Sequence, residues 1–139
     1  MLILRRFKRG ITLIEVLIGI TIIIVGILGV AKMFQIAIRV VHDAQATTLA
    51  TQFALNQLEY ITAVPYEEIT SGAYETRHGI TDNGTPNGFE RQTLVTLVDQ
   101  NMNTTTIDIG LKKVATTVFW NSIFGNEKSI RIYVLKSRF

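Results

Sequence analysis

One apolar run near the N-terminus limits what this chain of 139 residues can fold into. Residues 11–31 read ITLIEVLIGITIIIVGILGVA, and Glu15 is the single charged residue among them. As a helix this run is about 30 Å long, which is enough to cross the hydrocarbon core of a bilayer. We therefore expect either a membrane-spanning helix or a signal sequence at this position.

A cluster of basic residues lies directly before the apolar run. Its members are Arg5, Arg6, Lys8 and Arg9. The whole chain has a formal net charge of +3, but residues 11–139 hold ten basic and eleven acidic residues. By the positive-inside rule, the cluster keeps the N-terminus in the cytoplasm and sends the C-terminal part across the membrane. The near-neutral remainder has no basic patch with interleaved aromatic residues, so we predict no direct nucleic-acid partner.

The composition excludes several kinds of site. The chain has no cysteine, which excludes disulfides, thiolate metal sites and cysteine nucleophiles. The two histidines, His42 and His78, are far apart in sequence, and no catalytic triad order or phosphate-binding loop occurs. Asp82, Asn83 and Gly84 resemble a calcium loop in composition, but the spacing does not match the EF-hand pattern. We predict no enzyme activity, no cofactor and no metal site.

Three interpretations of the apolar run remain open on these residues alone. An ordinary signal peptide would be cut after Ala31, but the run is longer than a typical signal core and contains an acid. A plain signal anchor leaves Glu15 without a purpose, although a lone charge at membrane depth costs a few kcal/mol. In the third interpretation, cleavage after Gly10 places a new amino group on Ile11, one helical turn from Glu15. The carboxylate then has a partner, the N-terminal ammonium of its own subunit or of a neighbour.

The residues from Lys8 to Ile18, KRGITLIEVLI, resemble the prepilin processing motif of type IV pilins and type II secretion pseudopilins. The resemblance implies that a membrane-embedded prepilin peptidase cuts after Gly10 and N-methylates Ile11, and that Glu15 acts in assembly. It also implies other pilin or pseudopilin subunits and an inner-membrane assembly platform as partners. The mature protein is expected as a single-pass protein of the cytoplasmic membrane, and then in an extracytoplasmic pilus or pseudopilus.

The chain departs from the major pilins of this family at three points. Ile11 stands where most members have Phe or Met, Lys32 lies near the usual place of a helix proline, and the C-terminal cysteine pair is absent. These departures favour a minor pilin or a pseudopilin. The segment LATQFALNQLEYITAVPYEEI, which ends at Ile69, resembles the stem end of minor pilins of the PilV kind and of the I-type minor pseudopilin.

Residues 32–62 contain neither glycine nor proline and predict an amphipathic stem helix that continues the apolar run. Its apolar positions recur mostly every three or four residues: Phe34, Ile38, Val41, Ala46, Leu49, Phe53, Leu58 and Ile61. The solvent side is expected to hold Arg39, Asp43, Gln45, Gln52, Gln57 and Glu59. The alternative is two helices joined at residues 32–35, and we expect soft or unwound positions at Gly19, Gly26 and Gly29. Pro65 ends the helix, because the residue before a proline avoids helical dihedrals.

Residues 63–139 predict a small head that needs the stem helix for its core. Residues 70–88 are rich in turn signals and are predicted to be a loop. Strands are predicted at 92–98, 113–120 and 129–135, with a fourth at 105–109 in a four-stranded version. Val114, Thr116, Val118 and Trp120 share one strand face, and Ile130, Ile132 and Val134 oppose Arg131, Tyr133 and Leu135. The predicted fold is α+β, one long N-terminal helix packed on an antiparallel sheet of three to four strands.

These elements predict four segments: a cleaved leader at 1–10, a transmembrane assembly helix at 11–31, a stem helix at 32–62 and a head at 63–139. The function predicted from them is that of a structural subunit, minor more than major, of a type IV pilus or type II secretion pseudopilus. The alternative is a membrane-anchored or secreted β binding module with an ordinary signal anchor or signal peptide.

Overall fold

The computed structural model describes residues 10–81 and 88–138. Its elements, in chain order, are α1 (Leu13–Ala63), a 3-10 turn (Tyr66–Glu68), β1 (Gly72–Gly79), β2 (Phe89–Leu97), β3 (Leu111–Asn121) and β4 (Glu127–Ser137). The four strands form one sheet in the order β1-β2-β3-β4, and each neighbouring pair is antiparallel. The predicted α+β architecture is confirmed, a long N-terminal helix with a small antiparallel sheet packed on it.

α1 is continuous over 51 residues. Gly19, Gly26 and Gly29 all lie within it, so the predicted soft positions and the alternative of two helices are wrong. The helix ends at Ala63, two residues before Pro65, as the sequence predicts. By its internal packing the chain divides into two compact units, with the boundary between Val40 and Val41.

The C-terminal unit is built on one side of the stem part of α1. Ala50 and Ala54 are fully buried, and because their side chains are small they let the helix backbone approach the sheet closely. The core has two clusters of buried side chains: Ala50, Ala54, Ile80, Phe89, Val118 and Trp120 in the first, and Leu58, Ile61, Ile69, Val95 and Val114 in the second. The predicted apolar stripe is right from Ala46 to Ile61. Its earlier members Phe34, Ile38 and Val41 are exposed.

Polar side chains lie between the two clusters in strand register. The hydroxyls of Thr93 and Thr116 are 3.2 Å apart and fully buried. Glu75 accepts hydrogen bonds from Arg91 Nη2 at 2.7 Å and from Thr93 Oγ1 at 2.9 Å. Burial acts to raise the pKa of Glu75, but these hydrogen bonds outweigh burial and hold the pKa below its ordinary value. The carboxylate is therefore charged and fully paired at neutral pH.

The strands agree with the prediction in three cases and differ in two. β3 and β4 cover the predicted strands at 113–120 and 129–135, and their buried faces are the predicted ones. β2 covers the strand predicted at 92–98 except for its last residue. The prediction of a loop throughout 70–88 is wrong, because β1 occupies Gly72–Gly79. The segment 105–109 is not a strand; a single bridge joins Val98 to Thr104 before it. β1 escapes the prediction because it is an irregular edge strand in which only Tyr74 packs against an apolar cluster.

Asp43 is not on a solvated face, contrary to the prediction. Its carboxylate accepts a hydrogen bond from Ser122 Oγ at 2.8 Å and forms an ion pair with Lys128 of β4. The hydrogen bond from Lys128 is the main cause that lowers the pKa of Asp43 below its ordinary value. This pairing ties the beginning of the stem to the turn between β3 and β4.

The close approach at Ala54 gives the first testable prediction. Replacing Ala54 with Leu inserts three carbons between α1 and the sheet, and overpacking of this kind costs about 1–3 kcal/mol of unfolding free energy. Thermal unfolding followed by circular dichroism measures the effect. The matched control is Ala44→Leu, the same change at an exposed position of the same helix. Equal melting temperatures for the two variants would contradict the close packing.

Candidate functional site

The predicted processing site lies just outside α1. Gly10, Ile11 and Thr12 have no regular secondary structure, and α1 begins at Leu13. Ile11 is 77% exposed, and no atom lies within 4 Å of the position that a Cβ at Gly10 would take. The peptide bond between Gly10 and Ile11 is therefore accessible to a peptidase. The basic residues Arg5, Arg6, Lys8 and Arg9 lie outside the described residues.

Glu15 lies in the first turn of α1. Its backbone N–H donates to the carbonyl oxygen of Thr12 at 3.1 Å, and Thr12 Oγ1 lies 3.4 Å from the same nitrogen. A carboxylate at this position is stabilised by the positive end of the helix dipole. The side chain is exposed, and within residues 10–81 and 88–138 no other side chain pairs with its carboxylate. The charge of Glu15 is thus available to a cation from outside the described chain.

The first part of α1 presents an apolar surface on every side. This helix is long and apolar enough to cross a membrane, and no residue of its most apolar window is buried within the chain. Between Ile11 and Val41, the exposed fraction of the large apolar residues ranges from 49% for Val16 to 82% for Leu13. A surface of this size is stable when lipid or other apolar helices cover it. This fits the membrane anchoring predicted from the sequence.

The other residues singled out in the sequence do not form a site. Among the described residues, no group of three or more His, Asp or Glu side chains could hold a metal ion. Asp82 and its two neighbours lie outside these residues. His42 is exposed on α1, and His78 is exposed in β1, where Nδ1 lies 2.8 Å from the carbonyl oxygen of Thr76.

A cluster that sequence reasoning missed closes the end of the stem. We call Tyr66, Asp108, Lys112 and Arg138 the Tyr66 latch. The Tyr66 hydroxyl donates to Asp108, which also accepts the backbone N–H of Gly110 at 2.8 Å. Two cations lie close to the Tyr66 ring, with Lys112 Nζ 3.8 Å and Arg138 Cζ 5.0 Å from its centroid. Cations over an aromatic face are attracted by its quadrupole, so both contacts help to hold the ring.

Lys112 is the most deeply buried charge of the latch, with 6% of its surface exposed. Its ammonium donates to the carbonyl oxygens of Tyr66 at 3.0 Å and Ile69 at 2.7 Å. These carbonyls belong to the turn that follows α1, so Lys112 of β3 fixes this turn to the sheet. Burial is the largest cause that raises the pKa of Tyr66 to about 12, followed by the hydrogen bond to Asp108. The hydrogen bond from Tyr66 lowers the pKa of Asp108.

The sheet face that points away from α1 carries a groove of about 490 Å³. We call it the outer groove. Its walls include Gln92, Leu94, Lys113, Thr117, Arg131 and Tyr133. Arg131 Nε donates to Thr117 Oγ1 at 3.0 Å, and Lys113 Nζ lies 5.8 Å from the Tyr133 ring centroid. The groove is thus half polar, and its charged members are cations.

Arg77 of β1 lies across one end of the sheet face that carries the outer groove. Its guanidinium forms ion pairs with Glu90 of β2 and Glu127 of β4, and it lies 4.2 Å from the ring centroid of Phe119 in β3. One side chain therefore contacts all three other strands. The two carboxylates make this end of the face acidic, whereas the outer groove beside it is basic.

A comparison with known protein families finds a match for the N-terminal segment. Residues 5–31 match the family described as the prokaryotic N-terminal methylation motif. No curated protein and no solved structure gives a significant match to the chain. The match confirms the predicted motif and supports a type IV pilin-like or pseudopilin substrate of a prepilin peptidase. A motif of this type also suggests a structural, non-enzymatic protein.

The Tyr66 latch gives the second prediction. Tyr66→Phe keeps the ring that contacts the two cations but removes the hydroxyl that donates to Asp108, and the expected loss is about 1–2 kcal/mol of unfolding free energy. Equilibrium unfolding in urea measures the loss. The matched control is Tyr60→Phe, since Tyr60 is 64% exposed on α1 and should tolerate the change.

Because the pKa of Tyr66 is raised, the unfolding free energy of the same pair of variants should differ in its dependence on pH. An unfolded tyrosine releases its proton near pH 10, before the folded one at about 12. Stability is therefore fully present below pH 10 and falls as the pH rises above it. In Tyr66→Phe this alkaline loss should shrink, and in Tyr60→Phe it should remain. The same alkaline loss in all three proteins would exclude Tyr66 as its source.

Proposed function

We propose that this chain is a minor subunit of a type IV pilus or of a type II secretion pseudopilus. The observation that carries the proposal is the methylation motif at residues 5–31, continuous with a helix whose apolar surface no described residue covers. A prepilin peptidase cuts after Gly10 and methylates the amino group of Ile11. The exposed, irregular segment around this bond supports the assignment, because a peptidase needs an extended substrate that it can reach.

Assembly then moves the apolar part of α1 from lipid into a bundle of similar helices. Lipid tails are as apolar as the side chains that they cover, so this transfer gains little from the hydrophobic effect alone. Packing between helices and the pairing of charges must supply the rest. Glu15 is the single charge of residues 11–31, and its carboxylate neutralises the N-terminal ammonium of a neighbouring subunit.

Glu15 acts as a check on register as well as a source of attraction. An unpaired charge inside an apolar bundle costs several kcal/mol, so a subunit that enters at the wrong height is rejected. The absence of any other described side chain beside this carboxylate supports an external partner. The inner-membrane assembly platform is the proposed site of the transfer.

The finer assignment rests on sequence features of the stem. Lys32 near the usual helix proline, the missing cysteine pair and the PYEE turn favour a minor pilin of the PilV kind or an I-type pseudopilin over a major pilin. The turn has a structural purpose that supports this resemblance, since Tyr66 joins the end of the stem to the sheet.

A second candidate is a membrane-anchored or secreted binding module. The outer groove favours it, because a half-polar cavity of about 490 Å³ has room for a small ligand or a short peptide. The two functions differ in what they demand of the N-terminus. A binding module tolerates a changed Glu15 and a replaced membrane helix, whereas a filament subunit does not.

The mature N-terminus gives the third prediction. Protein isolated from its native membrane should begin at Ile11 and carry one additional methyl group, and intact-mass and N-terminal peptide measurements read both. A Gly10→Val variant should retain the leader, because a branched side chain blocks the position before the cut. A native chain that begins at Lys32 would identify an ordinary signal peptide and contradict the proposal.

Glu15 gives the fourth prediction. Glu15→Ala should still be cut after Gly10, but its methylation or its incorporation into filaments should fall about tenfold or more, because the pairing charge is gone. The matched control is Glu59→Ala, which removes an exposed carboxylate from the stem of the same helix. Immunoblots of sheared filaments against total membrane protein measure incorporation. Equal incorporation of the two variants would overturn the assembly role of Glu15.

A further inference from the structure

We propose that the outer groove of one copy of this chain binds the acidic turn, Glu67 and Glu68, of a second copy. The proposal rests on the proposed filament function and adds a contact between heads to the contact between N-terminal helices. It follows from the charges that the described part of the head leaves unpaired and from the faces on which they lie.

Two cations in the described part of the head, Lys113 and Arg131, have neither a carboxylate nor a carbonyl oxygen as a partner, and both line the outer groove. Most basic side chains of the described head are satisfied: Arg77, Arg91, Lys128 and Arg138 pair with carboxylates, and Lys112 and Lys136 donate to backbone carbonyls. Within residues 41–81 and 88–138, Lys113 and Arg131 meet neither a carboxylate nor a carbonyl oxygen. Because two unpaired cations share one groove with hydrogen-bonding side chains, the groove suits a carboxylate-bearing ligand.

The charge of the surrounding surface favours a short acidic segment over a long polyanion. Residues 63–139 contain eight basic and eight acidic residues, so the head offers a long polyanion no net positive charge. Glu90 and Glu127 lie at one end of the same sheet face and would repel a phosphate backbone that continued along it. Nucleic-acid binding depends on several neutralised phosphates, and two cations supply few of them.

The chain itself exposes a suitable acidic segment. Glu67 and Glu68 are adjacent and exposed in the turn after α1. Glu67 forms an ion pair with Arg138, with Oε1 3.0 Å from Nε, but its side chain is 71% exposed. Glu68 has no partner among the described residues. The Tyr66 latch holds this turn in place. A preordered turn loses little conformational entropy on binding, which makes weak charge pairs more effective.

The two surfaces cannot meet within one copy. Lys113 points into the outer groove, whereas its neighbour Lys112 points to the opposite face of the sheet, where it binds the turn that contains Glu67. Adjacent residues of a strand face opposite sides. Groove and turn therefore pair only between copies, and such a head-to-tail contact uses two different patches. Contacts of this kind form a ring if the rotation between copies closes and an open helical assembly if it does not.

Disulfide trapping tests the contact directly, because the chain has no cysteine of its own. Full-length Thr70→Cys with one affinity tag keeps both carboxylates, because Thr70 is exposed two residues after Glu68. It is mixed in detergent with full-length Gln92→Cys, whose cysteine lies in the groove and which carries another tag. Mild oxidation should trap the mixed dimer about tenfold more than a control pair in which Ile123→Cys replaces Gln92→Cys. Ile123 is 54% exposed in the turn between β3 and β4, outside the groove.

Charge reversal then identifies the cause. Lys113→Glu with Arg131→Glu in the groove chain should abolish the excess of mixed dimer. Glu67→Lys with Glu68→Lys in the Thr70→Cys chain should restore part of it. If the double glutamate variant folds poorly, Lys113→Gln with Arg131→Gln removes the two positive charges without adding negative ones. This variant should also abolish the excess of mixed dimer. Mixed dimer at the level of the Ile123 control overturns the proposal, and so does trapping that is indifferent to all of these charges.

Two outcomes distinguish the contact between heads from the proposed filament function and from nucleic-acid binding by the groove. If mature protein begins at a methylated Ile11 while trapping equals the control, the contact between heads is wrong and the filament function stands. If trapping equals the control and a fluorescent single-stranded oligonucleotide binds the native chain but not the Lys113→Glu, Arg131→Glu variant, the groove is a nucleic-acid site and the proposal is wrong.

Discussion

The constraint on which the rest of the structure depends is the apolar surface of the first part of α1. No described residue of the same chain packs against this surface. Burial of apolar surface is worth about 25 cal/mol per Å², so large side chains exposed by half or more represent a large unused free energy. The stem of the same helix already contributes one face to the head through Ala50, Ala54 and Leu58. What covers the first part must come from outside, as lipid or as other helices.

Much of the fold could be predicted because its elements have strong local signals. α1 lacks glycine and proline after residue 29 and ends before Pro65, and β3 and β4 alternate apolar and polar residues over most of their length. β1 could not be predicted in the same way. An edge strand with two irregularities needs few inward side chains, so its sequence carries little alternation. The three glycines do not interrupt α1, because a cost of about 1 kcal/mol each does not break a helix that apolar neighbours favour.

The polar contacts of the head combine a local sequence signal with partners that are distant in sequence. Alternation along β3 places Lys112 on the face of Val114 and Thr116, and a lysine on a core face needs acceptors. The turn that follows Pro65 offers them as the carbonyl oxygens of Tyr66 and Ile69. Only the tertiary arrangement could supply that partner, because 43 or more positions separate these groups. The processing site is the opposite case, since Gly10, Ile11 and Glu15 are defined by spacing within one short segment.

Polar pairs at both ends of the stem fix its position on the sheet. The pair of Asp43 with Lys128 holds the beginning of the stem, and Lys112 with Tyr66 holds its end. The apolar packing between them is less selective for one register than the polar pairs are, because the hydrophobic effect is non-directional. A helix shifted by one turn would separate both pairs and leave Lys112 buried without acceptors, a state that costs several kcal/mol. The apolar clusters therefore supply most of the attraction, while the charges decide which register is stable. In the proposed assembly Glu15 applies the same physics between subunits, where one charge in an apolar surface selects the height of its neighbour.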